Sequence, residues 1–102
     1  MARKPRLHYP GALAHVIARG NNKQNVFLDQ NDFQTFLNYV LYVKGRKPFK
    51  LHAYCLMPNH FHLLMGVEET PLSVIMHRLL TSYTQFFNRK NRRIGHLFQG
   101  RY

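Results

Sequence analysis

Negative charge is what this sequence has least of. Its 102 residues hold four acids, Asp29, Asp32, Glu68 and Glu69, against fifteen Lys and Arg, a formal net charge of +11 at pH 7. The acids come in pairs, one at the expected start of a first helix and one just before a second. Helix N-termini favour negative charge, so the remaining surface is left almost without it. Cysteine is nearly absent too. Cys55 stands alone, which excludes an internal disulfide. It alternates into an apolar strand and is expected to be a core residue. Long apolar runs are missing: nothing approaches the ~20 residues a membrane span needs. The basic start, residues 1–6, is followed by no apolar signal core. The chain is expected to be cytoplasmic, with no membrane partner.

Apolar residues make up 45% of the chain, enough for one domain with a modest core. The charge implies a polyanionic partner, bound with release of counterions from phosphates. A merely soluble basic protein is the weaker alternative.

The organising stretch is Met57-Pro58-Asn59-His60-Phe61-His62-Leu63-Leu64. It opens a strand expected over 60–67. Side chains on a strand alternate between faces. His60, His62, Leu64 and Gly66 share one face; Phe61, Leu63, Met65 and Val67 share the other, apolar one. Two imidazoles two residues apart can converge on a divalent cation. With seven His in the chain, chance is the competing reading. Pro58-Asn59 makes a turn just before the pair. The apolar opposite face argues that the histidines do not point into the core.

Elsewhere the chain punctuates clearly. Residues 1–10 form a basic arm with two prolines. A strand is expected over 13–19, broken by Gly20-Asn21-Asn22, which tolerate positive φ. Arg19, Asn21, Asn22, Lys23 and Gln24 form a cluster without acids that suits phosphates and base edges, or is a solvated turn. A helix is expected over 29–44, with Asp29 as N-cap and Phe33, Phe36, Leu37, Val40 and Leu41 on its buried stripe. Lys44-Gly45-Arg46-Lys47-Pro48 stops it and makes a small basic patch. A strand over 49–57 would turn Leu51, Ala53, Cys55 and Met57 to one face. It would place His52 and Tyr54 beside His60 and His62, in a hairpin through Pro58-Asn59. Thr70 is the expected N-cap of a second helix with Pro71 at its first position. Leu72, Ile75, Met76, Leu79, Tyr83, Phe86 and Phe87 would be its buried stripe. Arg89, Lys90, Arg92 and Arg93 at its end exceed what capping needs and suggest a phosphate-facing patch. Residues 96–102 begin a possible final strand. The order β-α-β-β-α, with that last β, predicts an α+β fold: a ferredoxin-like split βαβ sandwich with two helices on one face of an antiparallel sheet.

Several blocks of the chain resemble the single-tyrosine HUH transposases, the family of small insertion-sequence and REP-associated tyrosine transposases. They are Arg19-Gly20-Asn21-Asn22, the run from Leu51 to His62 with its Met-Pro-Asn-His-x-His core, Ser82-Tyr83-Thr84, Phe87-Asn88, and Gly95-His96-Leu97-Phe98-Gln99-Gly100-Arg101-Tyr102. The resemblance covers the N-terminal part of that domain. It implies that His60 and His62 hold Mg²⁺ or Mn²⁺ against a scissile phosphate of single-stranded DNA. It also implies nicking and joining through a 5′-phosphotyrosine, with no nucleotide cofactor. Hairpin-containing single strands are the implied partner, met by Arg19, Asn21, Asn22, Lys23, Arg89, Lys90, Arg92, Arg93 and Arg101; a homodimer is a further option. The family's nucleophile lies on a later helix, which also commonly supplies a further metal ligand. That helix is not found in residues 1–102. Tyr83 and Tyr102 match other family positions, so no catalytic residue is assigned. The chain is expected to be a single domain truncated before the tyrosine helix, a fragment, or a core completed by another polypeptide.

The readings that compete are a transposase-type nicking domain and a non-catalytic module that binds DNA hairpins. An RNA-recognition module would want stacking aromatics where the central strand offers histidines. A nuclease using water would need a base and more ligands than the sequence supplies.

Overall fold

The structure is a computed structural model and describes residues 11–99. The arm at 1–10, Arg101 and Tyr102 lie outside the described residues. The described elements follow one another as β1 (Leu13–Arg19), a short 3₁₀ turn (Asn21–Lys23), α1 (Gln30–Arg46), β2 (Lys50–Met57), β3 (His60–Gly66) and α2 (Leu72–Asn91). The three strands form one antiparallel sheet in the order β1-β3-β2. This is the split βαβ arrangement: α1 carries the chain from one flanking strand to the other, and β3 slots between them. Phe98 bridges Gly20 in antiparallel fashion, and Gln99 N–H donates to the Arg19 carbonyl at 2.8 Å. The segment after α2 thus begins to extend the sheet beyond β1, as the expected final strand would.

Alternation builds the two layers. Val16, Ala18, Phe61, Leu63 and Met65 are all buried and face the helices. Phe36 of α1 packs on Phe61 with ring centroids 4.7 Å apart. From α2, Leu72, Ile75, Met76, Leu79, Tyr83 and Phe87 are buried, as the helical spacing predicted, with Phe86 packed at the margin. The Tyr83 hydroxyl donates to the Val26 carbonyl at 2.6 Å. No helix of the described residues is long and apolar enough to cross a membrane.

Asp29 caps α1 as expected, accepting from Asp32 N–H at 3.0 Å. Asp32 does more than charge the first turn. Its side chain is fully buried, accepts from Leu28 N–H at 2.8 Å, and takes Lys90 Nζ at 2.6 Å; Asp29 takes the same ammonium at 2.9 Å. A buried carboxylate is tolerated because a cation and an amide compensate it.

Four sequence expectations fail for physical reasons. First, α1 runs through Gly45 to Arg46, and Lys47 N–H still bonds the Val43 carbonyl at 2.7 Å. Glycine weakens a helix without ending it. Val43 fills the core, while Leu41 is 63% exposed. Second, Thr70 does not cap α2. Pro71 holds the N-cap position with no side-chain bond, and its carbonyl takes the first helical bonds from Val74 and Ile75. No acid falls in that first turn. Third, Cys55 is exposed rather than in the core. Fourth, Tyr54 pairs with Leu63 on the helix-facing side, not with the histidines.

The last two share one cause. The β2–β3 register shifts between Leu51 and Ala53, so His52 is an extra residue, a bulge. Beyond it the parity of β2 reverses. Leu56 now turns to the core side opposite Phe61, and Cys55 and Met57 turn to the open face opposite His62 and His60. His52 remains on the open face. A Cβ added at Gly66 would meet His52 Nε2 at 3.0 Å, so the missing side chain at Gly66 makes room for it.

Candidate functional site

The open face of the sheet has three side-chain rows near its hairpin end. Arg19, His60 and Met57 form the first, Ile17, His62 and Cys55 the second, and His15, Leu64 and Ala53 the third. Both motif histidines therefore stand on the central strand, held between two neighbours. Their buried counterparts Phe61 and Leu63 anchor that strand from behind.

The imidazoles of His60 and His62 meet nearly at right angles, with centroids 5.2 Å apart. Each has its Nδ1 engaged. His60 Nδ1 lies 2.8 Å from Asn59 Oδ1. An amide oxygen only accepts, so Nδ1 carries the proton and Nε2 keeps its lone pair. His62 Nδ1 lies 3.2 Å from Nε2 of His15, and those two rings stack with centroids 5.4 Å apart. Burial, and then the charges of His60, His15 and Arg19, hold the His62 pKa below its ordinary value. A neutral imidazole is the ligating form. The donor set fits a divalent cation that keeps most of its shell for water and phosphate oxygens. Among the described residues, no group of three or more His, Cys, Asp or Glu side chains is placed to hold a metal ion.

Beside the histidines lies a cleft of about 550 Å³ lined by Arg19, Gly20, Lys23, Asn59, His60 and Gln99. Its wall is the turn at 20–24, tied down from two sides. Gly20 N–H donates to the Asn59 carbonyl at 2.9 Å, and Val26 and Phe27 N–H to that of Pro58; Asn21 N–H reaches the Leu97 carbonyl at 2.8 Å. Gly20 is required by crowding, not by its φ of −61°: a Cβ there would stand 2.0 Å from the Gln24 carbonyl oxygen. Positive φ falls instead on Asn22 and Lys23.

The fold thus brings Arg19 and Lys23 to His60 in one cleft. Asn21 and Asn22 belong to the same turn but do not line the cleft. The four cations of the α2 end lie apart from the cleft and are not equivalent. Lys90 is spent on Asp29 and Asp32. Arg93 donates to Asn88 Oδ1 at 2.6 Å and to the His96 carbonyl at 3.1 Å. Arg89 and Arg92 are exposed, with Arg92 in the left-handed conformation as C-cap. Arg101 lies outside the described residues. Sequence reasoning missed His15 and Gln99. The signal for His15 was its parity with Arg19 on β1, readable only once the pairing with β3 is known.

The family model described as "Transposase IS200 like" matches residues 9–102. No curated protein matches the sequence. Among solved structures, a REP-associated tyrosine transposase bound to a REP hairpin superposes with a TM-score of 0.75 at 17% identity, over 99% of this chain and 59% of that one. A candidate transposase from Deinococcus radiodurans R1 superposes with a TM-score of 0.65 at 17% identity, over 87% of this chain and 68% of its own. At such identities the superpositions establish the shared α+β fold, and the chain spans 59% of the length of the first of these relatives. With the family model running through β1, the histidine strand and both helices, the chain belongs to the IS200-like transposase family.

Proposed function

We propose that the open sheet face binds the single-stranded foot of a DNA hairpin and presents one of its phosphates to His60 and His62. The observation that carries this reading is the meeting of His60 with Arg19 and Lys23 at one cleft, with His62 beside His60 on the same strand face, in a chain of this family. The relative captured on a REP hairpin supports the choice of DNA. Arg19 and Lys23 would neutralise the phosphates on either side of the reacting one. Asn59 and His15 would hold the two imidazoles so that each offers Nε2. A bound Mg²⁺ or Mn²⁺ would supply Lewis-acid polarisation of the phosphoryl oxygen.

Strand cleavage in this scheme breaks the bond from phosphorus to the 3′ oxygen and forms one from phosphorus to a tyrosine oxygen; the 3′ oxygen leaves as a hydroxyl. Among the described residues no tyrosine lines the cleft, and burial pushes the Tyr83 phenol far from ionisation. The described residues therefore act as the half that binds and orients DNA. That same observation favours a second reading, a hairpin-binding module without chemistry of its own.

The test is a denaturing gel of the 102-residue chain with end-labelled hairpin DNA and Mn²⁺. Hairpin binding with no protein–DNA adduct is the expected result. Binding should survive His60→Ala and His62→Ala, whereas Mn²⁺ uptake should not. Failure to bind any hairpin would overturn both readings. An adduct abolished by His60→Ala would place the nucleophile in this chain and overturn the division of labour.

A further inference from the structure

A second cationic cleft lies on the other layer. It is bounded by the end of α1 and the first half of α2, holds about 290 Å³, and is lined by Tyr42, Val43, Arg46, Lys47 and Arg78. Its position is set by topology. The sheet face with His60 and His62 looks away from the helices, and α1 leaves the histidine end of the sheet and finishes at the opposite end. The cleft is therefore remote from His60 in both directions.

Three cations share this space, and among the described residues none has a carboxylate within ion-pair distance. Asp29 and Asp32 are committed to Lys90, at the start of α1. Arg46 and Lys47 have a bland explanation, because cations are favoured at a helix C-terminus. Arg78 has none: it sits in the second turn of α2 and converges on the same cleft. Bringing like charges together costs free energy unless an anion joins them. The aromatic wall adds a second clue. The Arg46 guanidinium lies 5.0 Å from the centroid of the Tyr42 ring, and that ring is 54% exposed. A planar fork pre-set on an aromatic face suits bidentate phosphate recognition, and an exposed ring beside it suits stacking of an unpaired base.

From this convergence we infer that the cleft between α1 and α2 is a second phosphate-binding site, which takes a backbone phosphate of single-stranded DNA through Arg46 and Arg78, with Tyr42 under a neighbouring base. The assignment of DNA rests on the function proposed above. It extends that reading, because a strand seated here cannot be the part that lies on the histidine face. It must be flanking strand that has passed over the edge of the molecule.

The experiment compares the wild-type chain with Arg46→Gln/Arg78→Gln by fluorescence anisotropy across a salt series. Two probes are used: a bare hairpin, and the same hairpin with a long single-stranded extension. On the extended probe the slope of log affinity against log salt should fall by about 0.7 for each arginine removed; on the bare hairpin it should not change. An unchanged slope on the extension, or an equal fall on both probes, overturns the inference. A wild-type chain that ignores the bare hairpin refutes the earlier reading instead, and the single-stranded extension alone then reads the cleft. Inorganic phosphate, followed by ³¹P line width, separates the other source of the same chemistry. Phosphate held by wild type, lost in the variant and not displaced by the extended probe would make this a free-anion site and overturn the DNA assignment.

Discussion

Tyr83→Phe removes one oxygen and tests how the histidine cleft is held up. The Tyr83 hydroxyl is buried and donates to the Val26 carbonyl at 2.6 Å; Val26 itself is fully buried. Phenylalanine keeps the ring and its contacts with Phe27, Phe36 and Phe98. The loss is therefore one buried hydrogen bond, with its acceptor left unpaired, which costs about 1–3 kcal/mol. For a domain of this size that corresponds to a fall in Tm of roughly 4–8 °C per kcal/mol. A thermal melt and a urea titration of both proteins measure it. Because Val26 N–H is bonded to Pro58 at the hairpin tip, the loosened segment is the one beneath the 20–24 turn. Hairpin affinity well below the melting range should still be close to wild type, since the phenol takes no part in chemistry. An unchanged Tm would refute the hydrogen-bond assignment. An unchanged Tm with lost DNA attachment would give Tyr83 a chemical role that its burial argues against.

His15→Ala should weaken Mn²⁺ binding by about tenfold, the lower end for losing a group that orients a ligating imidazole; calorimetry reads it, and His15→Gln, which can still accept from Nδ1, should restore most of it. The His62 pKa is depressed, so the neutral ring is the form that folding favours. Its contribution is complete above 6.5, the ordinary value, and is lost as pH falls through the lower folded value. The urea midpoint of the wild type should accordingly drop on acidification more steeply than that of His62→Gln. Deleting His52 should remove the bulge and leave the remaining pairs of β2 with β3 in register, so Cys55 stays opposite His62 on the open face; thiol labelling of Cys55 should stay as fast as in wild type, and slowed labelling would show that the hairpin register had slipped instead.

Much of the fold could be read before any pairing was known. The limits of β1 and the N-cap at Asp29 follow from local chemistry, and the two faces of β3 follow from alternation alone. What could not be read depends on partners distant in sequence. The bulge at His52 is invisible to alternation because β2 beyond it, from Ala53 to Met57, offers no charged residue on either face to mark the change of parity. One uncounted residue then moved Cys55 and Tyr54 to the wrong sides. Leu41 was placed in the core because it fits the stripe, but the stripe of α1 is narrower than the spacing suggested, and Val43 takes the contact. For the site, the motif histidines and the Arg19–Lys23 cluster were legible separately. Their meeting was not, since it depends on the register Arg19↔His60. Lys90 read as a phosphate contact because its buried partner, Asp32, read as a surface acid.

The wall of the histidine cleft is knotted to the hairpin tip at 58–59 and to the segment at 97–99, stretches far apart along the chain. Contacts of that kind form only after the intervening chain has been ordered, because loop closure must be met before they contribute. The cleft's ties to 97–99 close longer loops than the pairs of β1 with β3 do, so it is expected to be completed late in folding. Its local bonds are few, Lys23 N–H to the Gly20 carbonyl and Gln24 N–H to that of Asn21, so it is also expected to be an early part to open. The amide protons of Gly20, Asn21 and Gln99 report that opening directly. Their exchange, set against that of β3, measures how often a folded molecule is without a binding site.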